Sequence, residues 1–289
     1  MIKIDMLRTT VITIDTDTFI EEIGACYSEK EKNIILEESY NKSFERIFTV
    51  LDKYNIKSTI FLIASHIENS LCLNKIKKLS DNLNEIANHS YKHCRNLTQK
   101  ELENDISIST DIIERLISIR PKGFRSPGAT MDLRLLSVLK ENKYLYDSSY
   151  NSSKIYNISK KIYSIFSANS INSNFLRSRS KPFVEDGIKE FPLTQTYLTT
   201  LPLMNFFVMP LGKYGIKLIN KTLQKESFIN YIIHLHEFVE PDEIKAVKIK
   251  NGFMNRISKS INERLNFLDK AMEVLKNGSD IKMMKEISN

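Results

Sequence analysis

The sequence predicts an α/β fold, one domain built on a parallel sheet or barrel, and three observations lead there. Apolar segments of period two alternate with segments of period 3.6, in the order strand, helix, strand, helix. The chain has 289 residues, 42% of them hydrophobic, enough for one sizeable core. Isolated Asp, His and Arg residues fall just past the carboxyl ends of successive strands, the rim where parallel barrels carry their chemistry.

In chain order, "VITID" is a buried strand and "FERIFTVLDKYN" a helix with Phe44, Ile47, Phe48 and Leu51 on one face. "STIFLIAS" is the second strand, a helix is expected at about 66–80, and "NEIAN" follows as a short strand. In "TQKELENDISISTDIIERLIS" Thr98 and Glu101 form a capping box, and Leu102, Ile106, Ile113 and Leu116 form the buried stripe. "KGFR" is a strand, Asp132 caps the helix "LRLLSVLKEN", and "YLY" is another strand. From about 148 to 186 the pattern dissolves into Ser, Asn and Lys and reads as a loop or insertion. It resumes with the strands "IKEFPL" and "NYIIH", and a C-terminal helix with a short strand is expected at about 256–285.

Composition narrows the function. The net charge of +7 would suit an acidic partner, but the lysines are spread along the whole chain, so no nucleic acid is expected. The local cluster Arg177, Arg179 and Lys181 reads as a solvated loop. The start carries Asp5 and Arg8 where a signal peptide needs an apolar run, and no apolar stretch approaches membrane-spanning length, so a cytoplasmic protein is expected. Cys26, Cys72 and Cys94 are odd in number and show no C-x-x-C spacing, which fits a reducing compartment.

Asp15 and Asp17 end the first strand, His89 follows "NEIAN", Arg125 ends "KGFR", Asp147 follows "YLY" and His234 ends "NYIIH". "HSYKH" sets His89 and His93 four apart, so that both imidazoles can reach one ligand from a helical turn or a tight loop. One carboxylate completes a His, His, Asp set. Three protein ligands with an open fourth position belong to a catalytic divalent metal, because water must reach the ion. Each pattern alone is common. Their order at successive strand ends is not.

Taken together, "TIDTD", "EIANHSYKH", "GFRSPG", "YLYDSS" and "YIIHLHEF" resemble the five motifs of the polysaccharide deacetylase family, the NodB-homology domain, over roughly residues 9–240. The D-x-D first motif resembles a cytoplasmic-type branch of that family. The resemblance implies a distorted (β/α) barrel, a divalent metal ion, usually Zn2+, and hydrolysis of an N-acetyl group from an amino sugar. Carried onto this chain it makes Asp15 the general base, Asp17, His89 and His93 the metal ligands, and Arg125 the group that holds Asp15 charged. It makes His234 the general acid and Asp147 the residue that orients it. Pro127, Gly128 and His236 are implied to meet the substrate, with Gly128 near the oxyanion donor. His236 remains an alternative acid if the strand register differs by two. On strand direction alone, His236 is expected nearer the rim than His234.

The expected partner is an amino-sugar-containing saccharide, whether polymeric, glycoconjugate or lipid-linked at a membrane surface. Alternatives are a deformylase or deacetylase of a polyprenyl-linked sugar and a non-catalytic metal- or sugar-binding module. A binding module has no need of a base and an acid. The uncharged segment 197–211, broken by Pro202 and Pro210, reads first as core and pocket wall and second as a membrane-surface element.

Overall fold

The computed structural model describes residues 8–23, 27–131, 133–151, 180–197, 201–244 and 259–288. Cys26, Asp132 with its expected helix cap, Arg177, Arg179 and most of the 148–186 loop lie outside the described residues, as do the chain start and residues 198–200.

The strands are β1 (Thr9–Asp15), β2 (Thr59–Leu62), β3 (Glu85–Asn88), β4 (Gly123–Phe124) and β5 (Tyr146–Asp147), then β6 (Phe183–Glu185), β7 (Ile188–Glu190), β8 (Phe228–His234) and β9 (Asp280–Lys282). They form one mixed sheet in the order β6-β7-β5-β4-β3-β2-β1-β8, curled into a half-barrel with helices packed on it. Every pairing is parallel except that of β6 with β7. β8 pairs with β1 from Thr9 to Asp15, so β2 and β9 share the other edge of β1. The barrel expectation holds.

Two expectations need correction. β5 ends on Asp147 itself, so that carboxylate lies in the strand and not beyond it. The expected loop contains β6, which turns into β7 through Asp186 (φ 50°) and Gly187 (φ 81°). Two consecutive positive φ values are the signature of a tight hairpin, and Asp-Gly is the sequence that adopts it. This signal was present in "VEDGIK".

The alternation along β1 divides the core in two. Ile12 and Ile14 point outward into the large cluster shared with the helices, together with Ile60, Leu62, Ile229 and Ile233. Val11, Phe61, Ala87, Tyr146, Phe191, Phe228 and Met284 fill the inside of the curled sheet. Gly123 leaves room for this layer, because a Cβ there would lie 1.8 Å from a Tyr146 ring atom. Above it Thr13, Arg125, Ser148 and Asn230 form a buried polar layer. Asp15 stands on the same face, two residues past Thr13.

The long helix Gln99–Ile117 starts at Thr98 in the expected capping box with Glu101. Its side chain Asp105 accepts from Tyr91 N–H and so tethers the loop that carries His89 and His93.

Candidate active site

β1 brings two carboxylates to one rim. Past Asp15 the chain stays extended, with Thr16 N–H donating to Phe61 O and the Thr16 hydroxyl accepting from Ile63 N–H. Asp17 O in turn accepts from His236 N–H at 3.1 Å. The period of two therefore aims Asp15 and Asp17 the same way.

"HSYKH" is a loop and not a helical turn. Ser90 (φ 72°) and His93 (φ 55°) are left-handed, and the bend is held by Ser90 N–H donating to Asn88 Oδ1 and His93 N–H donating to Ser90 Oγ. The loop sets His93 Nε2 at 2.8 Å from Asp17 Oδ1 and His89 Nε2 at 3.4 Å from Asp17 Oδ2. His89 Nδ1 donates to Arg125 O at 2.6 Å, which leaves Nε2 with its lone pair in the neutral ring.

All three side chains are buried, and Asp17 Oδ2 has no hydrogen-bond partner among the described residues. Burial opposes ionisation of Asp17, but the His93 and His89 imidazoles outweigh it and hold the carboxyl well below its ordinary range. One buried carboxylate with an unpaired oxygen facing two imidazole nitrogens is a donor set that suits a divalent cation, zinc included.

Arg125 is almost wholly buried and every arm is engaged. Nη1 meets Asp15 Oδ1 at 2.5 Å and Thr13 Oγ1, Nη2 donates to Ser148 Oγ and Asn230 Oδ1, and Nε donates to Ser148 O. The guanidinium lies 4.0 Å above the Phe61 ring. A buried charge so fully satisfied avoids the penalty of an unpaired one and fixes the Asp15 carboxylate in place.

His234 Nε2 faces Asp15 Oδ2 at 3.8 Å. Its Nδ1 lies 2.9 Å from Glu237 Oε1. Burial disfavours the imidazolium, but the Glu237 hydrogen bond and the charges of Glu237, Asp15 and Asp17 prevail and push the His234 pKa up to about 10. His234, His236 and Glu237 also lie close enough to be a metal set, but there the Nδ1 to Oε1 hydrogen bond already uses the facing atoms.

Two assignments from sequence are displaced. Asp147 does not orient His234: its Oδ1 accepts from Ser149 Oγ, and its neighbour is Glu190, on the adjacent strand β7. Burial raises Asp147 to about 6, and burial with the nearby Asp147 charge pushes Glu190 well above its ordinary range. His236 is not nearer the rim. The strand ends at His234 and Leu235–Phe238 is a 3-10 turn, so the two-residue alternation stops and His236 folds inward. It is 2% exposed, whereas the His234 side chain is 14% exposed. The two rings stack at 5.2 Å.

Pro127 is buried and Gly128 half-buried, with φ +67°. A Cβ on Gly128 would press on the Arg95 guanidinium at 3.2 Å. Glu237 and Asn205 were missed from sequence. Glu237 carried one signal, its spacing of three from His234, and Asn205 carried none. A surface groove of about 610 Å3 between helices Phe44–Lys53 and Ile261–Gly278 holds none of these residues.

Residues 25–146 match the model of the polysaccharide deacetylase family. The match covers less than half of the chain. The matched span holds His89, His93 and Arg125, while Asp15 at the end of β1, Asp17 two residues past it and His234 at the end of β8 lie outside it.

A structure from Mycobacterium smegmatis assigned to the polysaccharide deacetylases is similar over 99% of this chain and 90% of its own, with TM-score 0.64 and 15% identity. Puue allantoinase is similar over 99% and 90%, with TM-score 0.62 and 14% identity. A CE4 family pseudoenzyme from Bacillus anthracis is similar over 98% and 66%, with TM-score 0.52 and 11% identity. These likenesses establish the fold.

Among curated proteins, the uncharacterized protein YlxY of Bacillus subtilis is 28% identical over 36% of this chain and 32% of its own length. A peptidoglycan deacetylase-like protein of Gibberella zeae is 30% identical over 36% and 31%. The matches thus span about a third of these relatives. Among the described residues no helix is long and apolar enough to cross a membrane.

Proposed function

We propose that this chain is a polysaccharide deacetylase that hydrolyses the N-acetyl group of an amino sugar within a saccharide, using a divalent metal ion held by Asp17, His89 and His93. The observation that carries the reading is the convergence of a metal donor set, an arginine-paired carboxylate and a carboxylate-paired imidazole on one rim. A divalent ion in that set, zinc by its fit to two nitrogens and one oxygen, would supply Lewis-acid polarisation of the amide carbonyl and acidify a bound water.

The chain's own groups do the rest. Asp15, pinned by Arg125, takes the proton from the attacking water. His234 presents Nε2 toward Asp15 across the site, and as an imidazolium at neutral pH it donates its Nε2 proton to the leaving nitrogen as the C–N bond breaks. Water and amide become acetate and amine, and the proton held on Asp15 returns to His234 or solvent before the next turn. Pro127 and Gly128 border the rim on the β4 side, where a backbone donor would face the oxyanion.

A pure binding module would have no use for both a base and an acid, which sets the catalytic reading ahead of it. The test is direct: zinc-loaded protein incubated with N-acetylated amino-sugar oligomers, with mass spectrometry of the products. Loss of one acetyl mass with release of acetate supports the reading. Intact oligomers, lipid-linked and nucleotide-linked acetamido sugars included, would overturn it.

A further inference from the structure

The turn after β8 is more firmly built than a simple strand exit requires. Its backbone is clamped by two arginines from different helices: Arg264 Nη1 donates to Glu237 O at 2.8 Å and Arg46 Nη1 donates to Phe238 O at 2.8 Å. Within that clamp Glu237 is fully buried and both carboxylate oxygens are committed. Oε1 accepts from His234 N–H at 2.8 Å and lies 2.9 Å from His234 Nδ1. Oε2 accepts from Asn205 Nδ2 at 2.6 Å, and Asn205 Oδ1 accepts from Tyr231 O–H at 2.7 Å. Tyr231 is on β8, Asn205 on helix Asn205–Val208 and Glu237 on the turn, so three elements meet in one chain of hydrogen bonds.

The chain has a direction that physical chemistry fixes. The Glu237 carboxylate can only accept, so it takes the Asn205 amide N–H and turns the Asn205 carbonyl oxygen toward Tyr231, whose O–H donates to it. Glu237 is then left with one oxygen for His234, and as a carboxylate that oxygen can only accept. Nδ1 of His234 must therefore carry a proton, and Nε2 is the atom left to face Asp15 and the site. The stacked His236 ring, at 26° to the His234 plane, limits rotation about the same axis.

Resting on the reading of His234 as the acid, we infer that Glu237, itself oriented by Asn205, is the positioning residue that keeps the His234 Nδ1 protonated and Nε2 aimed at the reacting nitrogen. Asp147, the residue in which sequence resemblance places this task, is paired with Glu190 and has no part in it.

The experiment uses zinc-loaded protein with selectively 15N-labelled histidine, and N-acetylglucosamine oligomers as the kinetic probe. In the parent protein a hydrogen-bonded His234 Nδ1–H resonance is expected, slow to exchange with water. Glu237→Ala should abolish that resonance and lower kcat about a hundredfold, with KM nearly unchanged, because substrate contacts are untouched. Glu237→Gln, whose amide oxygen still accepts, should restore the resonance and part of kcat. Asp147→Asn should leave the resonance in place.

Where Glu237→Ala does not fold, Asn205→Ala serves, since it leaves Glu237 and His234 intact. It should speed exchange of the Nδ1–H and lower kcat about tenfold. Retention of the resonance at parental exchange rate in Glu237→Ala or Asn205→Ala overturns the inference, as does its loss in Asp147→Asn. A parent protein that shows the resonance but hydrolyses no amide refutes the proposed function and leaves this relay standing.

Discussion

Asp15 and His234 are register partners across β1 and β8, the last residues of two adjacent parallel strands. Because parallel strands end side by side on one rim, this register alone sets the two side chains facing each other, with Nε2 at 3.8 Å from Oδ2. A carboxylate and an imidazole 219 residues apart in sequence thus meet at one rim. The mutational consequences follow from which atoms each residue shares with its neighbours.

The Asp17, His89 and His93 set should bind about one divalent ion per chain, zinc before magnesium by ligand type. His93→Ala should reduce retained zinc to a minor fraction by elemental analysis. Full stoichiometry in a His89→Ala, His93→Ala double variant would remove this set from consideration.

Asp15 and Asp17 differ in partner and should differ in phenotype. Asp17→Asn should lose metal and turnover together, since its carboxylate faces both imidazoles. Asp15→Asn should keep the metal and lose about a hundredfold or more in kcat. Zinc analysis beside single-turnover rates separates the two, and exchanged phenotypes would exchange their roles.

His234→Ala should lower turnover by about a hundredfold or more with metal binding intact. His236→Ala acts differently: its ring is buried and stacked under His234, so the variant should lose thermal stability and a smaller part of kcat, leaving KM almost unchanged. A large rise in KM for His236→Ala would restore the substrate-contact role that strand direction alone suggests.

The Asp147 and Glu190 pair gives a pH signature. Burial raises Asp147 in the folded state from 3.8 to about 6, so its favourable contribution is complete below about pH 4 and is lost as pH rises through about 6. Asp147→Asn removes that loss. The melting temperature of the variant relative to the parent should therefore climb between pH 4 and 7, read by calorimetry across that range. A difference that is flat with pH would mean that burial does not raise Asp147 in the folded state.

Gly123→Ala should destabilise by about 1–3 kcal/mol, the usual cost of overpacking. Its Cβ would lie inside the Tyr146 ring, whose hydroxyl donates to Glu85. Denaturant unfolding measures this, and an unchanged midpoint would show that the inner layer can shift without cost.

Sequence alone determined the order of strands and helices, the capping box of Thr98 with Glu101, and the placing of Asp15, Asp17, His89, Arg125 and His234 at strand ends, because local periodicity and chain order encode those directly. The β6–β7 hairpin was legible as well, in Asp186-Gly187, though a run of Ser and Asn before it hid the strand. Tertiary structure alone decided which carboxylate meets His234. Glu237 wins over Asp147 because a 3-10 turn after β8, held by Arg264 and Arg46 from distant helices, folds it back within three residues, while the β5–β7 pairing commits Asp147 to Glu190. The same turn buried His236 and left His234 exposed to the site. Strand alternation could not foresee this, since it ends where the strand does.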